Sequence, residues 1–241
     1  MKRRLLLLSN GAELVGRDTT TEFAHTAARD LLGGRARRAF FVPFASVVRS
    51  YDEYAARVRE VFAELAGCEV VSAHESADAR EAVASSDLIM VGGGNTFHLL
   101  RGMYEAGLVE AVRERVLSGG AAYIGWSAGS NVACPTVRTT NDMPIVEPPS
   151  LDALGLVPFQ INPHYTDARL EGHHGETRDD RLSEFVHANP GVPVVGLREG
   201  TMLRVEGERV KLVGEPGPRL FVKGEEPRDL PAAESLDFLF R

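Results

Sequence analysis

The sequence predicts an α/β protein: a parallel-sheet three-layer sandwich that ends in a C-terminal β-hairpin. Three observations carry this. Short apolar runs rich in Leu, Val, Ile and Phe alternate with amphipathic stretches through the first half of the chain. Those runs are apolar on both faces, as strands covered by helices on either side must be. Late in the chain, Glu206-Gly207-Glu208 separates two short strand-like segments, which is a hairpin signal.

The elements follow in order. Residues 5–8, four leucines, read as the first strand, and 20–32 carry helical spacing. Residues 39–42 make a second strand. In 51–65, Tyr54, Val58, Val61, Phe62 and Leu65 fall on one helical stripe. Strands at 70–72, 88–91 and 121–124 alternate with helices at 79–84, 97–106 and 108–117. Crossovers of this length imply parallel pairing, and in parallel sheets the ligand site lies at the carboxyl ends of the strands. Residues 136–158 break the pattern as an irregular excursion rich in Pro, Asp and Asn. A strand at 159–161, a helix at 180–187 and a strand at 192–197 follow. Then come the hairpin of 202–205 with 209–213 and a further strand at 219–222. With no internal repeat, the chain reads as a single α/β domain spanning 1–241.

Composition bounds the function. The chain has 241 residues, 44% hydrophobic and 25% charged, ordinary values for a globular domain. A formal net charge of −7, with no Lys/Arg cluster, argues against nucleic-acid binding. Cys68 and Cys134 are too few for a disulfide framework and have no metal-ligand spacing. Met1-Lys2-Arg3-Arg4 ahead of four leucines looks superficially like a signal peptide, but the apolar run is too short, and no run would span a membrane. A soluble, cytoplasmic protein is expected.

The most specific signal is Gly125-Trp126-Ser127-Ala128-Gly129, a Gly-x-Ser-x-Gly pentapeptide directly after an apolar strand. Such a strand driven into a sharp turn holds one serine hydroxyl out at the sheet edge, a nucleophile elbow. A serine needs a base within reach. Among seven histidines, His164 in Asn162-Pro163-His164-Tyr165 sits just past a strand end, which places it at the same carboxyl edge as Ser127. The base in turn needs a carboxylate to orient it. Asp142, in the excursion, and Glu199, after the strand at 194–197, both qualify, and the strand-end position favours Glu199. Gly92-Gly93-Gly94-Asn95-Thr96 is a close-approach loop at another strand end; it lacks the Lys-Ser/Thr and Gly-x-Gly-x-x-Gly of phosphate cradles. An oxyanion loop fits it better, with Gly94 N–H and Ala128 N–H as the paired donors. The polar stretch Glu171 to Arg178 contains His173 and His174, but adjacent side chains point apart and no further ligand has zinc spacing, so no metal is expected. Arg178 could grip a substrate carboxylate with its planar fork.

These residues resemble the peptidase E family, the α-aspartyl dipeptidases. VGGGNTF at 91–97, IGWSAGS at 124–130, NVACPTVRTTNDMPI at 131–145, QINPHY at 160–165, GETR at 175–178 and GLREG at 196–200 carry the resemblance, which runs from the first strand to about Gly214. It implies a class I glutamine amidotransferase-like fold, with serine in place of cysteine. It also implies cofactor- and metal-independent hydrolysis of dipeptides whose N-terminal residue is aspartate. By the same resemblance Ser127 is the nucleophile and His164 the general base, while the third member falls at either Asp142 or Glu199. Gly94 and Ala128 form the oxyanion hole, and Asn95 and Arg178 contact the substrate. The partner is then a small peptide, and the chain a monomer or homodimer. Three rivals remain: a cyanophycinase-like β-aspartyl peptidase, an α/β-hydrolase esterase, and a small-molecule binding module that keeps the turn without the chemistry. The esterase is disfavoured because too few residues separate Ser127 from His164 for its intervening strands and helices.

Overall fold

The computed structural model of the chain describes residues 3–16, 22–34, 36–168, 172 and 175–241. The first half comprises β1 (Arg4–Leu8), α1 (Ala12–Val15), α2 (Glu22–Leu32), β2 (Arg38–Val42), α3 (Tyr51–Ala66) and β3 (Glu69–Ser72). It continues with α4 (Ala79–Ala84), β4 (Leu88–Val91), α5 (Thr96–Glu105), α6 (Leu108–Leu117), β5 (Ala122–Trp126) and α7 (Ala128–Val132). The second half holds β6 (Gln160–Tyr165), α8 (Arg178–Ala188), β7 (Val194–Arg198), β8 (Met202–Glu206), β9 (Arg209–Val213), β10 (Arg219–Phe221) and β11 (Arg228–Asp229).

Seven strands form one sheet in the order β3-β2-β4-β5-β1-β8-β9. Strands β1 to β5 pair in parallel, and the hairpin β8–β9 adds antiparallel beside β1. The apolar runs work as expected, because alternate residues of each strand enter different cores. Leu5, Leu7, Phe40, Val42, Ile89 and Val91 pack with residues of α4, α5, α6 and α7. Leu6, Leu8, Phe41, Leu88, Met90 and Ile124 pack with α1, α2 and α3. All these strand side chains are fully buried. Truncating any of the leucines to alanine should cost about 2–5 kcal/mol, so the sheet that carries the site is stiff. No helix among the described residues is long and apolar enough to cross a membrane.

Element edges differ from the sequence expectations for local reasons. Strand β5 runs on to Trp126, because Gly125 is packed against Gly129 and Tyr123 and continues the strand rather than breaking it. Helix α8 starts at Arg178 because Thr177 and Asp180 form a reciprocal capping box upstream of the expected start at 180. The first residues of the expected helix at 20–32, Thr20 and Thr21, lie outside the described residues.

One expectation is corrected. The sequence reading put Ser127, His164 and Glu199 along a single sheet edge. Strands β6 and β7 instead pair in parallel within a separate four-stranded sheet, in the order β11-β10-β7-β6. The place beside β1 is taken by β8, so β6 and β7 cannot extend the larger sheet there.

Candidate active site

Ser127 sits between β5 and α7 with φ 54° and ψ −113°, a backbone region L-residues rarely adopt. Holding a serine there costs about 1–3 kcal/mol, and the surroundings leave it no alternative. A Cβ on Gly125 would come within 2.5 Å of Gly129 O, and one on Gly129 within 2.0 Å of Val91 O. Ser127 N–H donates to Leu8 O at 3.1 Å, while the Ser130 hydroxyl donates toward Leu8 O and Gly125 O at 2.7 and 2.9 Å. The turn is thus fastened on both sides to the strands that precede it.

His164 also has positive φ, 54°, at a register shift between β6 and β7. Bulges of this kind re-aim a side chain. Here the ring reaches the other sheet: Nε2 lies 2.8 Å from Ser127 Oγ, and Nδ1 lies 2.5 Å from Glu199 Oε1. In the neutral tautomer that uses both contacts, Nδ1–H donates to the carboxylate and Nε2 accepts the serine proton. Glu199 follows β7 and is exposed, and its second oxygen accepts from Asn10 Nδ2. The hydrogen bond from His164 holds the Glu199 carboxyl below its ordinary 4.5, helped by Asn10 and opposed by partial burial. It is therefore ionised across the neutral range.

The sheets are joined at this point by groups that sequence reading passed over. Ser9, fully buried after β1, donates to Leu197 O at 2.9 Å and accepts His164 N–H at 2.9 Å. Asn131 on α7 donates to Ile161 O at 2.9 Å, and Asn141 in the excursion donates to Pro163 O at 2.7 Å. None of these positions carries a spacing signature, since each partner is tens of residues away or more.

Asp142, the other acid considered, does not meet His164. Its Oδ2 accepts from Thr96 N–H at 2.7 Å, from Thr96 Oγ1 at 2.6 Å and from Thr140 Oγ1 at 3.2 Å, fastening the excursion to the start of α5. Asn95 is similarly engaged: its Oδ1 caps α5 by accepting His98 N–H at 3.0 Å, and its Nδ2 donates to Met143 O at 2.9 Å. Arg178 lines a depression with Thr166, Asp167, Asp179 and Arg219 whose lining does not include Ser127; its Nη1 is buried without a partner. The cation that does line the cleft with Ser127, His164 and Glu199 is Arg49, stacked 5.3 Å over the Tyr54 ring. It has no carboxylate partner among the described residues. Its place in a loop after β2, at the carboxyl edge, was the signal available for it.

Gly93 and Gly94 abut the serine. A Cβ on Gly93 would fall 3.0 Å from Ser127 Cβ, and Gly94, at φ 140°, lies so close to Ala45 O that a Cβ would stand 2.2 Å from it. Neither Gly94 N–H nor Ala128 N–H donates to an acceptor among the described residues. As for metals, Asp52, His74 and Glu75 are the one candidate ligand cluster among the described residues. Asp52 and Glu75 are exposed there, His74 Nδ1 lies 2.8 Å from the Ser72 hydroxyl, and Arg59 pairs with Glu75. His173 and His174 lie outside the described residues.

The profile of peptidase family S51 matches residues 5–213. Peptidase E of Nostoc sp. (strain PCC 7120) is 46% identical over 239 residues, 99% of this chain and 97% of its own. Peptidase E of Streptomyces coelicolor is 49% identical over 236 residues, 98% of this chain and 94% of its own. The crystal structure of a peptidase from an acI-B1 Actinobacterium shares the fold at a TM-score of 0.67 and 20% identity, covering 98% of this chain and 97% of that one.

Proposed function

The chain belongs to peptidase family S51, and we propose that it is a serine-type dipeptidase that cleaves after an N-terminal aspartate through an acyl-enzyme on Ser127. The observation that carries this reading is the hydrogen-bonded chain from Ser127 Oγ through His164 to the ionised Glu199. In this mechanism the strained turn is a nucleophile elbow. Ser127 Oγ attacks the peptide carbonyl carbon as its proton passes to His164 Nε2. Glu199 holds Nδ1–H and stabilises the imidazolium, and the oxyanion settles on Gly94 N–H and Ala128 N–H. His164 then returns the proton to the leaving amine, the C–N bond breaks, and the aspartyl ester remains. A water molecule gives its proton to His164 and attacks the ester carbon; the bond from that carbon to Ser127 Oγ then breaks, Oγ takes the proton back from His164, and aspartate leaves.

Specificity rests on a cation. Arg178, half-buried with an unpartnered Nη1, is the proposed reader of the aspartate carboxylate, because a neutral side chain would leave it unpaired. Arg178→Ala then flattens the preference for Asp-Leu over Ala-Leu. If Arg49→Ala does so instead, recognition belongs to the cation in the cleft.

The test is hydrolysis of Asp-Leu, β-Asp-Leu, Glu-Leu and Ala-Leu by the wild type and Ser127→Ala, with EDTA present. Cleavage of Asp-Leu alone, falling by about 10⁴-fold or more in the variant, is the expected result. Preference for β-Asp-Leu would move the reading to a β-aspartyl peptidase. Wild-type turnover in Ser127→Ala would end the serine mechanism.

A further inference from the structure

We propose that Tyr54 is a positioning residue for the oxyanion hole: its phenol sets the direction in which the Gly94 N–H points. The proposal rests on the serine mechanism above and adds a residue to it from α3, far from the elbow in sequence.

Hydrogen-bond capacity decides where the phenol donates. The Tyr54 oxygen accepts from Trp126 Nε1–H at 2.7 Å and from Gly93 N–H at 3.0 Å. These occupy its acceptor capacity, so its single proton is left to donate, and the acceptor in reach is Gly93 O at 3.3 Å. The Gly93–Gly94 peptide is planar, with C=O and N–H on opposite sides. Fixing the carbonyl on Tyr54 therefore turns the Gly94 N–H away from Tyr54. The far end is held too, since Asn95 N–H donates to Ala45 O at 2.8 Å. Between those two anchors the chain passes against Ser127, and Gly94 N–H is left without a protein acceptor.

The phenol is well suited to this. It is buried, and burial pushes its pKa up to about 12, so it keeps its proton at any pH at which a histidine base works. Its donor Trp126 is the residue immediately before Ser127, so a single hydroxyl ties the elbow to the glycine loop. A Cβ on Gly92 would reach within 2.8 Å of that same hydroxyl, which keeps the approach open only to glycine.

The experiment compares Tyr54→Phe with the wild type on Asp-Leu, with Ser127→Ala as the control. Removing the hydroxyl leaves the ring in place but frees the peptide to rotate. The expected result is a fall in kcat of about 10- to 100-fold, less than the loss of a donor outright, with KM nearly unchanged. Affinity for an aspartate-derived aldehyde, which forms a tetrahedral adduct with Ser127, should fall in parallel with kcat. Calorimetric affinity of Asp-Leu for the Ser127→Ala protein should be the same with and without Tyr54→Phe, a split that a general loosening of the site would not give. Wild-type kcat in a folded Tyr54→Phe protein would overturn the proposal, as would a rise in KM with kcat intact. If Tyr54→Phe does not fold, Trp126→Phe decides. That change removes one donor to the phenol and should lower kcat severalfold at constant KM, and an unchanged kcat would overturn the idea. Turnover surviving in Ser127→Ala would remove the serine mechanism and this proposal together, whereas an inactive Ser127→Ala beside a fully active Tyr54→Phe removes only this one.

Discussion

The two halves of the proposed catalytic cleft are built by different means. The serine half is made by exclusion: Gly93, Gly125 and Gly129 let backbones approach to distances at which any Cβ would collide, and Ser127 is left in its strained turn. The base half is made by attachment. His164 and Glu199 come from another sheet, and Ser9, Asn10, Asn131 and Asn141 hold them in place through hydrogen bonds of long sequence separation. The first half is rigid because nothing else fits there. The second keeps its geometry only while several polar contacts persist, and it is the more exposed of the two.

That contrast can be broken or sharpened by substitution, and with Ser127 itself left in place the largest effect on turnover is expected within the base half. Glu199→Gln keeps the shape but loses the charge, and kcat should fall by about 10²–10⁴-fold, by analogy with the serine-protease aspartate. Asp142→Asn, by contrast, should leave kcat near the wild type and lower stability by about 1 kcal/mol, since its carboxylate serves the start of α5. Steady-state kinetics of the pair settle which acid orients the base, and equal losses would undo the assignment.

Next in size is the steric half. Gly129→Ala places a methyl on Val91 O and should destabilise the fold by about 3 kcal/mol or more, read by chemical denaturation. Ser9→Ala removes two buried bonds that join the sheets, and about 1–3 kcal/mol should go with them. The informative difference is kinetic: Ser9→Ala should cost kcat out of proportion to its modest stability loss, because His164 N–H loses its anchor. If Ser9→Ala retains full turnover, the attachment account of the base half is wrong.

A last effect, absent near neutral pH, lies at alkaline pH. Tyr54 has its folded pKa raised from 10.0 to about 12 by burial. A raised value means that the stability it contributes is complete below pH 10 and is lost as pH climbs toward 12, by up to about 2–3 kcal/mol. The wild type should therefore lose more stability between pH 10 and 12 than Tyr54→Phe does. Parallel curves would mean that the phenol is less shut away from water than its burial implies.

Much of the serine half was legible in the sequence. An apolar strand running into Gly-x-Ser-x-Gly dictates a turn locally, and the triple glycine at another strand end marks a second close approach. The strands themselves were equally plain, since Leu5 to Leu8 and Leu88 to Val91 are apolar at every position and must be covered on both faces. The base half was legible only in part. Asn-Pro-His-Tyr after a strand pointed to His164, and the strand end favoured Glu199 over Asp142 without deciding between them, because chain position does not say which carboxylate faces an imidazole. Ser9 carried no pattern at all, Arg49 had only its place in a loop at a carboxyl edge, and Tyr54 read as one more core position of a helical stripe. Arg178 stood out as a lone arginine in a polar stretch, yet it lines a different depression from the one that holds Ser127.

By itself, then, the sequence determined the alternating α/β architecture, the hairpin, the strained serine and the histidine, because steric exclusion and hydrophobic periodicity act over a few residues. Only the tertiary structure decided that β6 and β7 form their own sheet, that Glu199 rather than Asp142 reaches His164, and that one tyrosine hydroxyl joins the glycine loop to the elbow. Those outcomes depend on which hydrogen-bonding groups meet across 35 to 188 residues of chain, and a directional bond leaves no mark on the sequence that separates its two ends.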